Sequence, residues 1–231
     1  TSDSDQKNDI ENMLEKIIRD YGSQYFVEGG VFDYKIRTGN IVQELINQGK
    51  YDDVTMIVAG SHGVSGITES WIGGNAYKLI CNAPCPILVI RQGMDIKEAY
   101  QRIAITINST KSSRYKVPVV AGLAKKLGAK TSLIGIQRSG IEFIFRRISL
   151  AIRQVSQYLR SKAGLEVETT RIVQGANANE QFLQALSESN ADMVAIDVMN
   201  TGAFFTDRFR PFLTSLINNS KCPVLVVPTK E

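Results

Sequence analysis

Residues 54–90 read VTMIVAGSHGVSGITESWIGGNAYKLICNAPCPILVI, and the fold turns on this stretch. It opens with an almost wholly apolar run, Val54 to Ala59, and closes with another, Ile87 to Ile90. Short runs that are apolar at nearly every position suit strands buried on both faces. Between them stand Gly60, Gly63, Gly66, Gly73 and Gly74, and the spacing of Gly60, Gly63 and Gly73 is G-x2-G-x9-G. The first two fall just past a strand end, and the last lies just before an amphipathic turn, Ala76 to Cys81. Glycines let backbone N–H groups approach an anion closely, and the N-terminus of a following helix adds partial positive charge. The pattern points to phosphate binding without a lysine. A turn needing positive φ is the plainer reading of any single glycine pair.

Upstream, Ile10, Met13, Leu14, Ile17, Ile18 and Tyr21 recur at helical spacing and predict a core-facing helix, with Asn8 or Asp9 as its cap. Val31 to Arg37 alternates like a strand, and Gly39-Asn40 punctuates the chain before a second helix, Ile41 to Asn47. Asp52 and Asp53 read as a solvated turn at the entry end of the next strand, away from the glycines. Downstream, Arg91-Gln92-Gly93 reads as a linker. Strands are predicted at Arg102–Ile107, Thr131–Ile136, Leu165–Val173, Met193–Ile196 and Val224–Val227. Helices are predicted at Lys116–Leu127, ended by Gly128, at Asn179–Ser189, and along a stripe of Ile144, Ile148, Ala151, Ile152, Val155 and Leu159. Arg146, Arg153 and Arg160 share another face of that long helix, read as solvated. Strands alternating with helices imply an α/β protein with a parallel sheet.

The chain of 231 residues has room for one or two domains. Its net charge of +4 gives nucleic-acid binding no support, and no apolar run approaches the roughly 20 residues that span a bilayer. Cys81, Cys85 and Cys222 lack metal-ligand spacing and read as small buried residues in a reducing, cytoplasmic compartment.

An internal repeat emerges on adding 137 to residue numbers in the quoted stretch. Met56 lands on Met193, Cys85 on Cys222, Pro86 on Pro223 and Val89 on Val226, without a gap. The glycines do not persist: Gly60, Gly63, Gly73 and Gly74 correspond to Asp197, Asn200, Arg210 and Pro211. Asp197 sets a carboxylate where a phosphate would sit, and Pro211 removes a backbone donor, so the second copy is expected not to bind a nucleotide by this route. Residues Arg102 to Gln137 map to positions at or before zero, so the first copy lacks its opening β-α-β. With Thr1 in place of a methionine, a trimmed fragment is expected, with a retained partner piece or strand exchange as the alternative.

GSHG, nine residues, GG-N, a short helix and A-P-C-P-I-L-V-I closely resemble the second half of the universal stress protein domain. The resemblance implies an α/β chain of two tandem open parallel-sheet domains, Rossmann-like and of the adenine nucleotide alpha hydrolase-like kind. These would be 1–93, partial, and 94–231, with a degenerate nucleotide site. It further implies ATP, with Mg, in a crevice at the carboxyl ends of the first copy's strands. Ala59 falls where the family contacts the nucleoside, and Gly60, Ser61, His62, Gly63, Gly73, Gly74 and Asn75 form the loop. Gly74 stands where ATP-binding members carry a hydroxyl, and Asn108 where the family has an aspartate near the adenine. Pairing of the two copies, and of further chains, is implied through the last strand of each domain, Ile87–Ile90 and Val224–Val227.

His62 is the single histidine. With no carboxylate beside it to orient an imidazole base, it reads as a loop or nucleotide-contacting residue and not a catalytic one. Trp71 and Ile72 read as packing residues. No catalytic or metal-binding residue is expected. Three functions stay open: a nucleotide-binding stress or regulatory protein, a scaffold that has lost its ligand and acts through protein association, and a hydrolase-like enzyme with the hydroxyl-rich loop Ser109, Thr110, Ser112 and Ser113.

Overall fold

The computed structural model describes residues 3–22, 24, 29–61, 73–199 and 203–229, with side chains in the helix ends at 3–4 and 203–209 and at 199 left aside. The chain divides into two compact units, Thr1–Asn40 and Ile41–Glu231.

The first unit holds helix α1, Asp3–Gly22. The predicted helix is there, but its apolar stripe is not buried: Ile10, Met13, Ile17 and Tyr21 are all exposed. Val31 to Arg37 follows without regular structure, and Val31 and Phe32 are exposed. Alternation alone does not make a strand, which needs a neighbouring strand to take its N–H and C=O groups, and among the described strands the ladders do not include this stretch.

The second unit is a helix-covered sheet. Its elements in order are α2 (Ile41–Tyr51), β1 (Ile57–Gly60), α3 (Gly74–Asn82), β2 (Ile87–Ile90), β3 (Arg102–Ile107), a 3-10 turn (Ser112–Arg114), α4 (Val117–Leu127), β4 (Lys130–Gln137), α5 (Glu142–Tyr158) with a π turn (Leu159–Ala163), β5 (Val167–Gln174), α6 (Ala178–Glu188), β6 (Met193–Met199), α7 (Ala203–Asn219) and β7 (Val224–Thr229). The seven strands among the described residues form one sheet in the order β1-β2-β7-β6-β3-β4-β5. All neighbours are parallel except β2 and β7. From β7 to β5 this is a doubly wound sheet whose direction of winding reverses between β6 and β3, the place where such sheets open a crevice. One core layer packs α2, α3, α6 and α7 on the sheet, and the other packs α4 and α5.

Local sequence explains the helix ends. Pro118 sits in the first turn of α4, where no N–H bond is lost, and Gly128 closes the helix at φ 64° while Ala129 N–H donates to the Ala124 carbonyl at 2.8 Å. Gly135 in β4 is a close approach: a Cβ there would lie 2.7 Å from Ile148 Cγ2 and 2.9 Å from Ile152 Cδ1 of α5.

The repeat offset holds in the backbone. The pairs Ile57·Ile87, Val58·Leu88, Ala59·Val89 and Gly60·Ile90 become Val194·Val224, Ala195·Leu225, Ile196·Val226 and Asp197·Val227. The bond from Ile57 N–H to Pro86 O recurs from Val194 to Pro223, and that from Ala83 to Leu79 recurs from Ser220 to Leu216. Helices α2 and α6 also coincide under the shift. Thus α2-β1-α3-β2 recurs as α6-β6-α7-β7. The two copies join antiparallel through Ile87·Val226, Leu88·Leu225 and Val89·Val224, so a local two-fold axis passes between Leu88 and Leu225. The expected contact through the last strands therefore forms within the chain. It fills both edges of β2 and of β7, which leaves no free edge there for a further chain.

Two expectations change. The run from Val54 supplies only a four-residue strand, and it is not buried on both faces: Val58 is 61% exposed, because β1 lies at the sheet edge. The strand Ile87–Ile90 is buried as expected, and Cys81, Cys85 and Cys222 are free and buried, their thiols pushed up in pKa chiefly by burial.

Candidate functional site at the carboxyl end of β1

Strand β1 carries Ala59, half-buried, and ends at Gly60, which is exposed. Ser61, buried, stays tied to the sheet: its N–H donates to Ile90 O at 2.9 Å. Its carbonyl accepts the Gly73 N–H at 3.0 Å, so the chain that leaves the strand at Ser61 returns to it at Gly73. The Gly73 carbonyl then takes the first helical bond of α3, from Tyr77 N–H at 2.9 Å. Glycine suits position 73 because a Cβ would lie 3.1 Å from the Ser61 oxygen. At Gly74 a Cβ would meet nothing within 4 Å, so packing does not demand glycine at the position where the resemblance expects a hydroxyl.

These bonds fix the N-terminus of a nine-residue helix at the end of β1. The N–H groups of Gly74, Asn75 and Ala76 have no acceptor within the helix, and its N-terminus carries partial positive charge. The arrangement offers backbone donors to an anion. Of the expected loop, Ala59, Gly60, Ser61, Gly73, Gly74 and Asn75 are thus brought to one strand end, while His62, Gly63, Trp71 and Ile72 lie outside the described residues. Among the described residues no group of His, Cys, Asp or Glu could hold a metal ion.

The counterpart site is closed. Asp197 of β6 stands where Gly60 stands in β1, and its Oδ1 accepts a hydrogen bond from Lys116 Nζ at 2.6 Å. Lys116 is fully buried, immediately ahead of α4, and donates also to Ser113 O at 2.6 Å. Burial pushes the lysine pKa down, while Asp197 pulls it back up. The pair sits beside the junction of β6 and β3, where the crevice of a doubly wound sheet would open. Asn108 just past β3 is engaged as well: its Oδ1 takes the Thr110 N–H at 2.8 Å and the Thr110 hydroxyl at 2.6 Å. The Thr110 Oγ1 lies 2.9 Å from Ser112 Oγ and accepts from Ser113 N–H. The hydroxyl-rich loop is occupied with itself.

The helix end differs too. Pro211, expected to strip a donor from the helix start, lies inside α7, which begins at Ala203, eight positions before the counterpart of Gly74. A longer helix moves the N-terminus away from the strand end, and the effect follows from that shift and not from the proline alone. Arg210, the counterpart of Gly73, instead lays its guanidinium 4.8 Å from the centroid of Tyr77 in α3.

Nothing local in the sequence marks Lys116. A lysine ahead of a helix reads as solvated, and its partner lies 81 residues away. The usable signal was Asp197 itself, since a carboxylate at the end of a buried strand demands a cation.

Residues 6–91 match the model of the universal stress protein family. Among curated proteins, universal stress protein YxiE of Bacillus subtilis is 27% identical over 85 residues, covering 37% of this chain and 57% of its own length. The chain thus spans little more than half of that relative. Among solved structures, a universal stress protein from Archaeoglobus fulgidus DSM 4304 superposes with a TM-score of 0.71 at 17% identity, covering 99% of this chain and 81% of its own. One from Pseudomonas aeruginosa UCBPP-PA14 gives 0.66 at 13%, covering 95% and 78%. Both share the fold.

Proposed function

We propose, from the match of residues 6–91 to the universal stress protein family, that the chain is an adenine-nucleotide-binding regulatory protein with one working site per chain. The site is the glycine loop between β1 and α3, in a first domain at 1–93. The second domain, 94–231, carries a closed crevice and serves as the scaffold on which the first is built. The observation that carries the reading is the contrast between two equivalent strand ends. At Gly60 the backbone is exposed and faces a helix N-terminus; at Asp197 a buried lysine and carboxylate take the same place.

The phosphates of ATP would lie against the N–H groups of Gly74 and Asn75, with Ala59 beside the nucleoside and Ser61, His62 and Gly63 completing the loop. The donors are backbone groups, so they suit the shape and charge of phosphate without adding a lysine. Mg would arrive on the triphosphate, because the described residues offer no cluster of carboxylates to hold it. Binding would shift conformation or association, as a ligand does when it prefers one of two states.

The test is calorimetric titration of ATP against the parent chain and Gly60→Asp, which installs the residue of the closed copy. The reading expects one ATP per chain, with binding lost in Gly60→Asp while its circular dichroism is unchanged. Two sites per chain, or binding untouched by Gly60→Asp, would overturn it. No binding at millimolar ATP would return the chain to the scaffold reading.

A further inference from the structure

The net charge of +4 conceals a segregation. Between Glu98 and Glu166 the chain carries thirteen lysines and arginines and one carboxylate, Glu142, so the rest of it is net acidic. Four of the thirteen are engaged elsewhere. Lys116 is paired with Asp197, Arg102 and Lys130 with Glu168, and Arg138 lies against the ring of Phe212. The others stand on α4 and α5 or close to their ends. These two helices pack against one core layer on the same face of the sheet, so their outer sides turn away from it together.

The outer side of α5 has an order. Phe143 and Leu150, seven residues apart, share a line along the helix opposite its buried stripe, and they are 66% and 49% exposed. Arg146 and Arg153, which read as a solvated face in the sequence, run along one flank of that line. Arg147 holds the other flank, its guanidinium 5.7 Å from the centre of the Phe143 ring. Helix α4 adds Lys125 and Lys126 beside the exposed Leu127. Arg146 meets Glu142 at 3.0 Å in an exposed pair one turn apart. Among the described residues no ion pair holds Arg147, Arg153, Lys125 or Lys126.

We propose that the outer side of α4 and α5 docks on an anionic phospholipid bilayer, with the arginines and lysines on the headgroups and Phe143 and Leu150 at the boundary with the acyl chains. Two features favour a bilayer over other anionic partners. The cations are spread along a helix of 17 residues, about 25 Å, and do not converge on a pocket, which suits a surface of diffuse charge. The exposed apolar side chains stand among them on the outward line of the helix. A nucleic acid offers phosphates there and no apolar layer, and an acidic peptide helix needs a groove for its own apolar stripe. The contact is peripheral: among the described residues no helix is long and apolar enough to cross a membrane, and α5 keeps Ile148, Ala151, Ile152 and Val155 in the core. The proposal uses no residue of the glycine loop and stands apart from nucleotide binding.

The test is flotation of the full chain with phosphatidylcholine vesicles carrying about 30% phosphatidylserine, beside vesicles of phosphatidylcholine alone, in about 0.1 M and about 0.5 M salt. The anionic vesicles should bind the chain and the neutral ones should not, with affinity at least tenfold weaker at the higher salt. Arg147→Glu with Arg153→Glu should weaken binding at least tenfold, and Phe143→Ser with Leu150→Ser should weaken it severalfold at the lower salt. All four side chains are exposed, so circular dichroism should be unchanged. Lys50→Glu with Lys221→Glu alters the net charge equally at exposed lysines outside α4 and α5, and should leave binding within twofold. An equal loss in that control, or no loss in the arginine variant, would overturn the proposal. So would binding to neutral vesicles as tight as to anionic ones, or to neither. Displacement from the vesicles by a short DNA duplex or an acidic amphipathic peptide at equal charge concentration would also overturn it, giving the face to another class of partner.

Discussion

Replacing Asp197 with asparagine should cost more stability than any other change of one functional group at the closed strand end. The substitution conserves size, so no cavity confuses the result. It leaves the ammonium of Lys116 fully buried with neutral acceptors only, Ser113 O and the amide oxygen of the new side chain, and no counter-charge. Removing one partner of a buried ion pair costs about 3–5 kcal/mol, because the other charge stays desolvated. For a chain of this size that lowers Tm by on the order of 10 °C. Urea unfolding followed by circular dichroism reads the change. The pH dependence gives a second check. Burial lowers the folded-state pKa of Lys116 below its ordinary value, so the unfolded chain holds the proton to higher pH, and stability rises with pH between the folded and unfolded values. Asp197 is what opposes that lowering, so in Asp197→Asn the rise should begin at lower pH than in the parent. Replacing both groups with apolar ones, Lys116→Met with Asp197→Leu, should recover most of the loss. A loss under about 1 kcal/mol for Asp197→Asn, as at an exposed pair, would refute the reasoning.

Two packing changes test the frame around the site. Gly135→Ala drives a methyl into Ile148, Ile152 and Ile172, which lie 2.7, 2.9 and 3.0 Å from its Cβ position, and should cost about 1–3 kcal/mol in urea unfolding as overpacking does. Leu225→Ala removes a fully buried side chain at the local two-fold axis and should cost about 2–5 kcal/mol, in one cooperative transition if the two copies share a sheet as described.

How legible this was in the sequence depended on whether the cause was local. The offset of 137 was visible because Cys-Pro and the apolar run after it recur without a gap; the meeting of Ile87–Ile90 with Val224–Val227 was implied by the family resemblance, while its antiparallel sense is legible only in the sheet. Helix α4 was readable from Gly128, and the stripe on α5 from its spacing. The stripe on α1 and the alternation at Val31–Arg37 read just as clearly and misled, because periodicity says which face wants covering and not whether anything covers it. At the site, the glycines marked the strand end and the loop's return. The lysine opposite Asp197 was hidden by sequence distance, and the extension of α7 past Pro211 ran against the usual meaning of a proline in a helix.

The most direct test of the asymmetry between the two strand ends is photoaffinity labelling of the full chain with an azido-adenine analogue of ATP, followed by peptide mapping. Label that excess ATP removes should fall in residues 54–82, around Gly60 and Gly73. Competed label at residues 101–116 or 193–199, beside Lys116 and Asp197, would contradict it, as would no competed label at all.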